Sequence, residues 1–467
     1  MLKKPAKYYL LTFGCQMNKS DSERIVSLLE SLGLKSTDKP ERADLLLINT
    51  CSVRQASEDR VYGFINNWQK LRQKKTNLII GVTGCMPGRD KDKKLKNKIK
   101  GVDLFFPIDE LPLLPVWLRQ LNSDLFKFKK ENNLEDYLSI EPLRTQKHSA
   151  FVSIQTGCNN FCSYCVVPNS RGRERNRPLK DILKEIKLIA KKGCKEVVLL
   201  GQVVNNYRME NIEYRILNKK NPFNPYPTFD SQPNPYPTSP LAGGGDHFAA
   251  LLWEVNQIKG IERIHFTAAD PQYFNDYQIQ ALTLPKMVNY LHLPVQSGSD
   301  TVLKRMNRKY TKKYYLDLIK KIKIAKPDIA LGTDIIVGYC GETKKEFLAT
   351  VGLYKKANFD IAYLAMYSQR SGTLAAKMYK DDIPKTEKKR RWQILQDLME
   401  ETTYKKNHKY IGQVLPVLVK NYENGFCSGE SNELKLVRFA GKKSLVGKIV
   451  RVTVTKAEEW ILWGEMI

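Results

Sequence analysis

Three strand-like segments near the start of the chain each end in a cysteine, and their even spacing constrains the fold more than any other feature. The apolar runs KYYLLTFGC, ADLLLINTC and NLIIGVTGC end at Cys15, Cys51 and Cys85. These cysteines stand about 35 residues apart, which is the length of one strand-helix-strand unit. Parallel strands place their carboxyl ends at one edge of a sheet, where open α/β sheets bind ligands. The pattern therefore predicts an open α/β domain with three thiols converging at one edge.

A second group of three cysteines occupies eight residues of the segment QTGCNNFCSYCVVP. Its spacing is Cys158-x3-Cys162-x2-Cys165, and no fourth cysteine follows nearby. Thiolates in a tight loop suit a 4Fe-4S cluster or zinc. A structural zinc site normally adds a second pair of cysteines, and a bacterial ferredoxin run adds a fourth cysteine in step. Because neither is present, three protein ligands would leave one coordination position open.

Repeated strand and helix patterns surround this second group. Six strand candidates have helical segments between most of them: FVSIQTG, EVVLLGQ, RIHFTAAD, YLHLPVQ, IALGTDIIVGY and IAYLAMY. Repeated βα units in this number predict a partial parallel (βα)6 barrel with its site at the carboxyl ends of the strands. The cysteine loop directly follows the first of these strands.

The end of the chain and the total charge point to a polyanionic partner. Short strands separated by Gly, Asn and Lys turns predict a small β-barrel in the last 60 or so residues. Its basic residues could hold RNA phosphates: Lys420, Lys435, Arg438, Lys442, Lys443, Lys448, Arg451 and Lys456. The formal net charge is +28, from 77 Lys and Arg against 49 Asp and Glu. A charge of this size favours nucleic acid over a membrane as partner.

The location of the protein is predicted from its cysteines and its apolar runs. No apolar segment approaches the roughly 20 residues that a membrane span requires. The start of the chain is predicted to be a strand and not a secretion signal. Nine cysteines, an odd number, then favour metal or redox chemistry over disulfides. We therefore expect a cytoplasmic protein without membrane contact.

The predicted fold class is a multidomain α/β protein. We expect an open α/β domain over residues 1–121, a linker over 122–147, a partial barrel over 148–400 and a small β-barrel over 401–467. One segment, 209–246, carries NPYP twice and no apolar periodicity. Its composition predicts a disordered or polyproline-like insertion within the partial barrel.

Taken together, the motifs resemble those of MiaB-type tRNA methylthiotransferases, a family of radical S-adenosylmethionine (SAM) enzymes with a terminal TRAM domain. The resemblance covers nearly the whole chain and rests on TFGCQMN, NTCSVR, GVTGC, GCNNFCSYCVVPNSRGRERNRP and LHLPVQSGSD. The aromatic Tyr164 before the last cysteine agrees with it. The residues that favour this family over its sisters are Gln16, Met17, Asn18, Ser52, Val53 and Arg54.

The resemblance implies two 4Fe-4S clusters with different tasks. The cluster on Cys158, Cys162 and Cys165 would bind SAM at its open iron and cleave it to a 5′-deoxyadenosyl radical. A second cluster on the three cysteines of the first domain would hold the sulfur, which a second SAM methylates. The substrate would be the isopentenylated adenosine just 3′ of the anticodon in a tRNA anticodon stem-loop. An electron donor such as flavodoxin or ferredoxin and a sulfur donor would also be needed, and we expect a monomer.

Further residues could contact SAM, although their signals are weaker than those of the cysteines. These predicted contacts are Tyr164, Arg171, Arg173, Gln202, Gln296, Ser297 and Gly338, and the two arginines could instead meet tRNA phosphate. The chain also departs from the family's pattern at three positions near strand ends. It has Cys340 in place of a proline, Ala269 in place of a histidine and Val203 in place of an asparagine.

Two other functions fit the same residues. A sister family acts on threonylcarbamoyl-adenosine in tRNA with the same architecture. A non-catalytic iron-sulfur protein could instead use the clusters as structural supports and the basic barrel to bind RNA. The second alternative predicts no turnover of SAM, whereas both methylthiotransferases produce 5′-deoxyadenosine.

Overall fold

A computed structural model describes residues 5–52, 55–128, 136–144, 146–209 and 246–467, with only the backbone of 55–57. The described residues form two compact units. The first draws on residues 1–145, 156–175 and 368–379, and the second on 146–155, 176–367 and 380–467. Val53 and Arg54 of the family motif lie outside the described residues, as does almost all of the predicted insertion 209–246.

The first unit is built on a sheet of five parallel strands. The strands are Lys7–Thr12, Lys35–Ser36, Leu45–Thr50, Ile79–Gly84 and Leu104–Phe106, in the spatial order second, first, third, fourth, fifth. All six residues of Leu45–Thr50 are buried, as expected for a central parallel strand that is covered on both faces. The unit's α-helices are Gln16–Ser31, Gln55–Lys74, Cys85–Arg89, Lys94–Lys98, Leu114–Leu121, Val167–Arg171 and Leu374–Met378.

Helices cover the two faces of this sheet because each presents an apolar stripe to it. Helix Gln16–Ser31 buries Ile25, Leu28 and Leu29 on one face, at the spacing of successive helical turns. Helix Gln55–Lys74 covers the other face with the buried side chains of Val61, Ile65 and Trp68. The predicted open α/β domain is therefore confirmed.

The described part of the predicted linker, residues 122–147, belongs to the core of the first unit. Phe126, Tyr137, Leu138 and Ile140 are buried in the same apolar cluster as helix Gln16–Ser31. The short 3-10 helix Tyr137–Ser139 begins where the Asp136 carboxylate accepts a hydrogen bond from the Leu138 amide. Most residues of this segment are polar, but its few apolar side chains pack in the core of the first unit. The described residues of this segment are thus part of the first unit's core, and the linker over 122–147 remains a prediction.

The second unit contains the partial barrel. Its strands are Ser149–Ser153, Glu196–Leu200, Arg263–Phe266, Tyr290–His292, Ala330–Val337 and Ile361–Met366. They form two parallel three-stranded sheets in sequence order, and a parallel bridge between Ile264 and Met287 lies at the junction. The α-helices of this unit are Leu179–Lys191, His247–Gln257, Asp276–Ala281, Asp300–Arg305, Lys312–Ala325, Lys344–Ala357 and Lys385–His408. The predicted partial (βα)6 barrel is confirmed.

A closed barrel of five strands ends the second unit. The strands are Val414–Glu423, Phe426–Ser431, Leu436–Ala440, Ile449–Ala457 and Leu462–Met466. Alternating residues such as Val417, Val419, Val452 and Val454 fill its interior. The predicted domain boundary at residue 400 lies inside helix Lys385–His408, which continues without a break toward this barrel.

Lys420 and Lys435 of this C-terminal barrel pair with carboxylates of the partial barrel. Lys420 Nζ lies 2.9 Å from a carboxylate oxygen of Glu196, and Lys435 Nζ lies 3.3 Å from one of Asp360. The prediction that these two lysines hold phosphate was therefore wrong, because burial pairs them with carboxylates. Their basic neighbours with exposed side chains are Lys442, Lys443, Lys448, Arg451 and Lys456. Across the described part of the chain, no helix is both long and apolar enough to cross a membrane.

Candidate functional site

The first three cysteines, which we call the first triad, lie at the carboxyl edge of the five-stranded sheet, as predicted. Cys51 and Cys85 directly follow strands Leu45–Thr50 and Ile79–Gly84, and Cys15 begins helix Gln16–Ser31. The loops can meet because Gly14 has a φ of 125° and lies against Cys51. A Cβ atom placed on Gly14 would come within 2.5 Å of the Cys51 Cβ. A larger residue at position 14 would separate the cysteine loops.

Two buried asparagines hold these loops together. Asn18 Nδ2 donates hydrogen bonds of 3.2 Å to Asn49 Oδ1 and to the carbonyl oxygen of Thr50. Asn49 Nδ2 in turn donates to the carbonyl of Asn18 at 2.8 Å. The thiol of Cys15 lies 3.4 Å from Asn18 Oδ1. The asparagine of the motif CQMN thus joins the Cys15 loop to the strand that leads to Cys51.

A buried arginine connects the first triad to the second loop. Arg171 is 2% exposed, and its Nη2 pairs with Asp21 Oδ2 at 2.5 Å. Its Nε donates to the Cys85 sulfur at 3.4 Å. Burial alone would lower the pKa of Arg171, but the charges of Asp21 and of a Cys85 thiolate raise it above its usual value. The guanidinium is therefore a permanent cation beside Cys85.

The pKa of Cys15 depends on the same charged groups. Although the residue as a whole is exposed, desolvation of its sulfur among the loops raises the pKa of Cys15. The Arg171 cation lowers that pKa, and the charge of a Cys85 thiolate raises it. Cys15, Cys85 and Arg171 consequently lie within electrostatic range of one another.

The second triad, Cys158, Cys162 and Cys165, occupies a loop without regular structure. The loop turns where the Cys165 amide donates to the carbonyl of Cys162 at 2.9 Å. Backbone amides also approach two of the sulfurs, with Asn160 N at 3.4 Å from Cys158 and Val167 N at 3.5 Å from Cys165. N–H donors of this kind stabilise thiolates over thiols.

The loops of the two triads pack against one another within the first unit. A Cβ atom on Gly88, in the short helix that begins at Cys85, would stand 2.1 Å from the carbonyl oxygen of Ser170. Ser170 lies in the short helix that follows Cys165. Such a close approach of two backbones is possible only with glycine at position 88.

A distant segment, residues 368–379, also belongs to the first unit, and we call it the strap. Its described hydrogen bonds to the loops join Arg89 Nη1 to Ser371 Oγ at 2.7 Å, Asn169 Nδ2 to the Gly372 carbonyl at 2.8 Å, and the Ala375 amide to the Ser163 carbonyl at 2.7 Å. Ser163 lies between two cysteines of the second triad, and Arg89 lies four residues after Cys85. The strap therefore contacts the loops of both triads.

Glu58 is the centre of a buried charge cluster beside Cys51. It accepts a hydrogen bond from Ser52 Oγ at 2.5 Å and a two-point contact from Arg89 at 2.8 Å. Arg370 of the strap lies 3.6 Å from its carboxylate. Burial lowers the pKa of Arg370, and the charges of Glu58 and of a Cys51 thiolate oppose that shift. Nothing in the sequence indicated that Arg370 or Glu58 would lie here, because their spacing carries no periodic signal.

The donor set of each triad fits an iron-sulfur cluster. Among the described residues, no group of three Cys, His, Asp or Glu side chains is placed to hold a single metal ion. The ligands of a 4Fe-4S cluster each bind a different iron, so they stand farther apart than the ligands of one ion. Thiolates with N–H donors and a guanidinium beside their sulfurs are the surroundings that tune such clusters.

Arg171 and Arg173 have different environments. Arg171 was predicted to contact SAM or a tRNA phosphate, but its side chain is occupied by Asp21 and Cys85. Arg173 is exposed, and its carbonyl oxygen lies over Gly157, where a Cβ atom would stand only 2.0 Å away. Tyr164 is partly buried in the second cysteine loop.

The other predicted SAM contacts belong to the second unit and follow the ends of barrel strands. The buried Oε1 of Gln202 has no hydrogen-bond partner among the described residues. Gln296 has a φ of 70° and bridges to Ile335 through its backbone. The hydroxyl of Ser297 lies 3.3 Å from that of Thr350. Gly338 has a φ of 67° and donates its amide to Glu342 at 2.7 Å, and it leaves no room for a side chain beside Lys388.

The three departures from the family's pattern are all buried. Val203 donates its amide to Gln155 Oε1 at 3.1 Å, and Ala269 and Cys340 are 2% exposed. Burial raises the pKa of the Cys340 thiol, which therefore stays protonated at neutral pH. Each of these residues fills core space beside a strand end.

Comparison with known sequences covers almost the entire chain. Uncharacterized protein family UPF0004 matches residues 7–107, the radical SAM superfamily matches 152–354, and the TRAM domain matches 408–467. A tRNA-2-methylthio-N(6)-dimethylallyladenosine synthase of Thermoanaerobacter is 38% identical over 471 residues, which are 98% of this chain and 92% of the relative. Proteins of the same name from Clostridium botulinum and Thermotoga petrophila are 39% and 37% identical, each over 99% of this chain and 97% of the relative.

Solved structures share the fold at low sequence identity. The radical SAM methyltransferase TsrM of Kitasatospora setae, solved with cobalamin and a 4Fe-4S cluster, gives a TM-score of 0.52 at 11% identity. The match covers 80% of this chain and 74% of TsrM. OxsB, a cobalamin-dependent SAM radical enzyme, gives 0.50 at 12% identity over 86% of this chain and 56% of OxsB. These likenesses concern the fold alone.

Proposed function

Because the chain belongs to the family of tRNA-2-methylthio-N(6)-dimethylallyladenosine synthases, we propose that it attaches a methylthio group to carbon 2 of the isopentenylated adenosine just 3′ of the tRNA anticodon. The observation that carries this proposal is the presence of both cysteine triads in one compact unit, on loops that pack against each other. A reaction that joins a sulfur to a carbon needs a site for the sulfur and a site that activates the carbon. Two neighbouring triads supply one of each.

The second triad is the site of radical generation in this proposal. Cys158, Cys162 and Cys165 would hold a 4Fe-4S cluster, and SAM would bind beside it. With SAM bound, this cluster supplies a primary carbon radical, which no side chain can provide. The loop's own task is to fix the three sulfurs, and backbone N–H groups donate to those of Cys158 and Cys165.

Cys15, Cys51 and Cys85 would hold a second 4Fe-4S cluster, which would supply the sulfur for the transfer. Support comes from three cysteines at one sheet edge and from the Arg171 guanidinium, which donates to the Cys85 sulfur. The strap adds support, because it contacts the loops of both triads. One unit thus fixes the spacing between the activating site and the sulfur site.

SAM is held by residues beyond the cysteines. We assign Gln202 to this task because its buried Oε1 has no partner among the described residues and can accept a hydrogen bond from the ligand. Gln296, Ser297 and Gly338 are assigned by their position after barrel strands. Tyr164 and Arg173 are assigned by their place in or beside the second cysteine loop. Arg171 is reassigned from SAM to the first triad.

The partners follow from the reaction. The target adenosine lies in the anticodon loop, where a base can turn out of its stack without melting a helix. A small electron-transfer protein such as flavodoxin or ferredoxin supplies electrons, and a separate donor replaces the sulfur after each turnover. The protein works as a monomer in this proposal, because the described part of one chain carries all six cysteines.

Analysis of the reaction products tests the proposal. The reconstituted protein with SAM, dithionite and isopentenylated tRNA should release 5′-deoxyadenosine and form 2-methylthio-isopentenyladenosine. Nucleosides from cells without the protein should contain isopentenyladenosine that lacks the methylthio group. Loss of sulfur from the threonylcarbamoyl derivative instead would assign the chain to the sister activity. Absence of 5′-deoxyadenosine would identify a non-catalytic iron-sulfur protein.

A further inference from the structure

Buried guanidinium groups lie beside two cysteines of the first triad. Arg171 pairs with Asp21 and donates to the Cys85 sulfur. Beside Cys51, the single carboxylate of Glu58 pairs with Arg89 and also lies 3.6 Å from Arg370. Buried charges are stabilised by opposite charges nearby, so these guanidinium groups suit an anionic group such as an iron-sulfur cluster held by three thiolates.

Two of these arginines, Arg171 and Arg370, belong to segments of the first unit that lie far along the chain from the first triad. Arg171 follows the second triad by six residues and reaches Cys85 and Asp21. Arg370 comes from the strap and reaches Glu58, which lies behind Cys51 through Ser52. Arg171 therefore lies beside Cys85, and Arg370 lies on the side of Cys51.

A buried cation changes the redox behaviour of a cluster. One-electron reduction adds negative charge, and a nearby guanidinium stabilises the reduced form more than the oxidised form. In a partly buried site, a unit charge several ångströms away interacts much more strongly with the cluster than the same charge would in water. Buried arginines near a cluster therefore raise its reduction potential.

We propose that Arg370 of the strap and Arg171 are positioning residues that act as charge partners of the sulfur-carrying cluster on Cys15, Cys51 and Cys85, and that they set its reduction potential. The inference rests on the proposed function, because it requires a cluster on the first triad. It gives the strap a task beyond holding two loops together. Its Arg370 brings positive charge to the sulfur site from a segment far along the chain.

The test uses the full chain with Cys158, Cys162 and Cys165 changed to Ala, so that only the first triad can bind a cluster. In this parent, Arg370→Gln and Arg171→Gln should each lower the equilibrium constant for one-electron reduction by about tenfold, which corresponds to about 59 mV. Potentiometric titration followed by electron paramagnetic resonance measures the shift. Lysine variants at both positions keep the charge and should stay close to the parent.

Arg72→Gln is the matched control. Arg72 pairs with Asp103 in the same unit, but it donates to the Leu78 carbonyl just before strand Ile79–Gly84, at the opposite end of that strand from Cys85. Removal of its charge should leave the potential unchanged. An equal shift in this control would mean that the potential follows net charge, which would overturn the proposal.

The remaining outcomes separate this inference from the proposed function. Glutamine variants with full iron and the parent's potential would overturn the inference alone. Loss of iron in the glutamine variants, with iron retained in the lysine variants, would support it, since loading would then follow charge. Loss of iron in both sets would overturn it, because the two arginines would then act through the shape of their side chains and not through their charge. A parent without iron would overturn both the inference and the two-cluster proposal.

Discussion

Cys51 and Cys85 are buried, whereas Cys15 is exposed as a whole residue although its sulfur is desolvated, so the first triad reaches the surface of its unit beside Cys15. A site that accepts sulfur from a donor and passes it to a tRNA base needs such an opening. The second triad has a similar mixture, with Cys158 buried and the other two cysteines partly exposed. At the scale of single residues, each triad thus combines buried cysteines with cysteines that are at least partly exposed.

Removal of the first triad should separate the two tasks. With Cys15, Cys51 and Cys85 changed to Ala, the iron content should fall by about half, because one of two four-iron clusters is lost. This variant should still bind SAM and cleave it, since that chemistry needs only the second triad. It should transfer no sulfur to tRNA. Iron analysis, 5′-deoxyadenosine formation and nucleoside analysis measure the three properties.

Cys194→Ala is the control for this experiment, since Cys194 is buried in the apolar core of the second unit, where its thiol donates to the Glu196 carbonyl at 3.1 Å. It should keep full iron and full activity. The converse variant, without the second triad, should keep one cluster and lose SAM cleavage. Full methylthiolation without the first triad would show that those three cysteines only pack.

The sequence predicted the cysteines better than it predicted their surroundings. Cysteines at strand ends or in a short loop have a spacing that can be read directly. Arg171 also stood out, but its partner Asp21 lies 150 residues earlier in the chain. Arg370 had no signal, because its relation to Glu58 exists only after the strap has joined the first unit. Charge partners are set by tertiary contacts, which local patterns do not encode.

At the scale of elements, the C-terminal barrel is joined to the partial barrel by a buried ionic contact. Glu196, on the second barrel strand, lies 2.9 Å from Lys420 and 3.2 Å from Arg263. Arg263 also donates to the carbonyls of Glu430 and Ser431 at 2.7 and 2.8 Å. The two barrels therefore share buried charges as well as apolar contacts.

This contact predicts a dependence on pH. Burial would raise the pKa of Glu196, but Lys420 and Arg263 lower it to about 2. Since the ordinary pKa is 4.5, the stabilisation is present above about pH 4.5 and is lost as the pH falls toward 2. Glu196→Gln leaves Arg263 without its carboxylate and leaves Lys420 with Glu430 alone, and it should cost about 3 kcal/mol at pH 7. Urea unfolding at several pH values measures this cost, which should shrink below pH 4.5.

Glu262→Gln is the matched control, because its ion pair with Lys195 at 2.6 Å is largely open to solvent. Exposed pairs contribute little, so this variant should unfold at the same urea concentration as the unchanged protein. The prediction for Glu196 would be contradicted if both variants lost equal stability, or if the loss at pH 7 persisted at pH 2.

The element boundaries show a second limit of the sequence. Helix Lys385–His408 has no glycine or proline near residue 400, so nothing in that region marked where one barrel ends and the next begins. The six barrel strands were predicted because each is a short apolar run between turns. The burial of Phe126 and Tyr137 in the described part of 122–147 was not predicted, because these residues are scattered among charged residues.

At the scale of the whole molecule, the net charge is +28, and the basic residues behind it fall into two groups, those in internal ion pairs and those exposed to solvent. Lys420 and Lys435 form ion pairs with carboxylates within the second unit. Lys442, Lys443 and Arg451 remain exposed on the C-terminal barrel. A phosphate backbone would meet the exposed set, while the buried set stabilises the protein.

The exposed set predicts how tRNA binding responds to substitution. Changing Lys442, Lys443 and Arg451 to Glu should weaken tRNA affinity by at least about tenfold, because three phosphate contacts are lost. The slope of log affinity against log salt should become shallower by roughly 2 units. Filter binding at several salt concentrations measures both values. Deletion of the barrel would be a poorer test, since it uncovers Arg263 and Glu196.

The same change of charge elsewhere serves as the control. Lys313, Lys320 and Lys321 on helix Lys312–Ala325 have exposed side chains. Their change to Glu alters the net charge equally and should leave most of the affinity intact. Equal loss in the two triple variants would mean that the tRNA responds to total charge, and the barrel would have no special part in binding.

The strap has a consequence for the order of events during synthesis. Asn169 and Gly372 are joined by a hydrogen bond but stand 203 residues apart in the chain. At the usual speed of translation, a ribosome needs roughly 10 to 40 seconds to cover that interval. During this time a nascent chain carries all six cysteines without Arg370 and without the segment that joins their loops. The contacts that join the strap to the two cysteine loops can therefore form only after residues 368–379 have been synthesised, when most of the chain already exists.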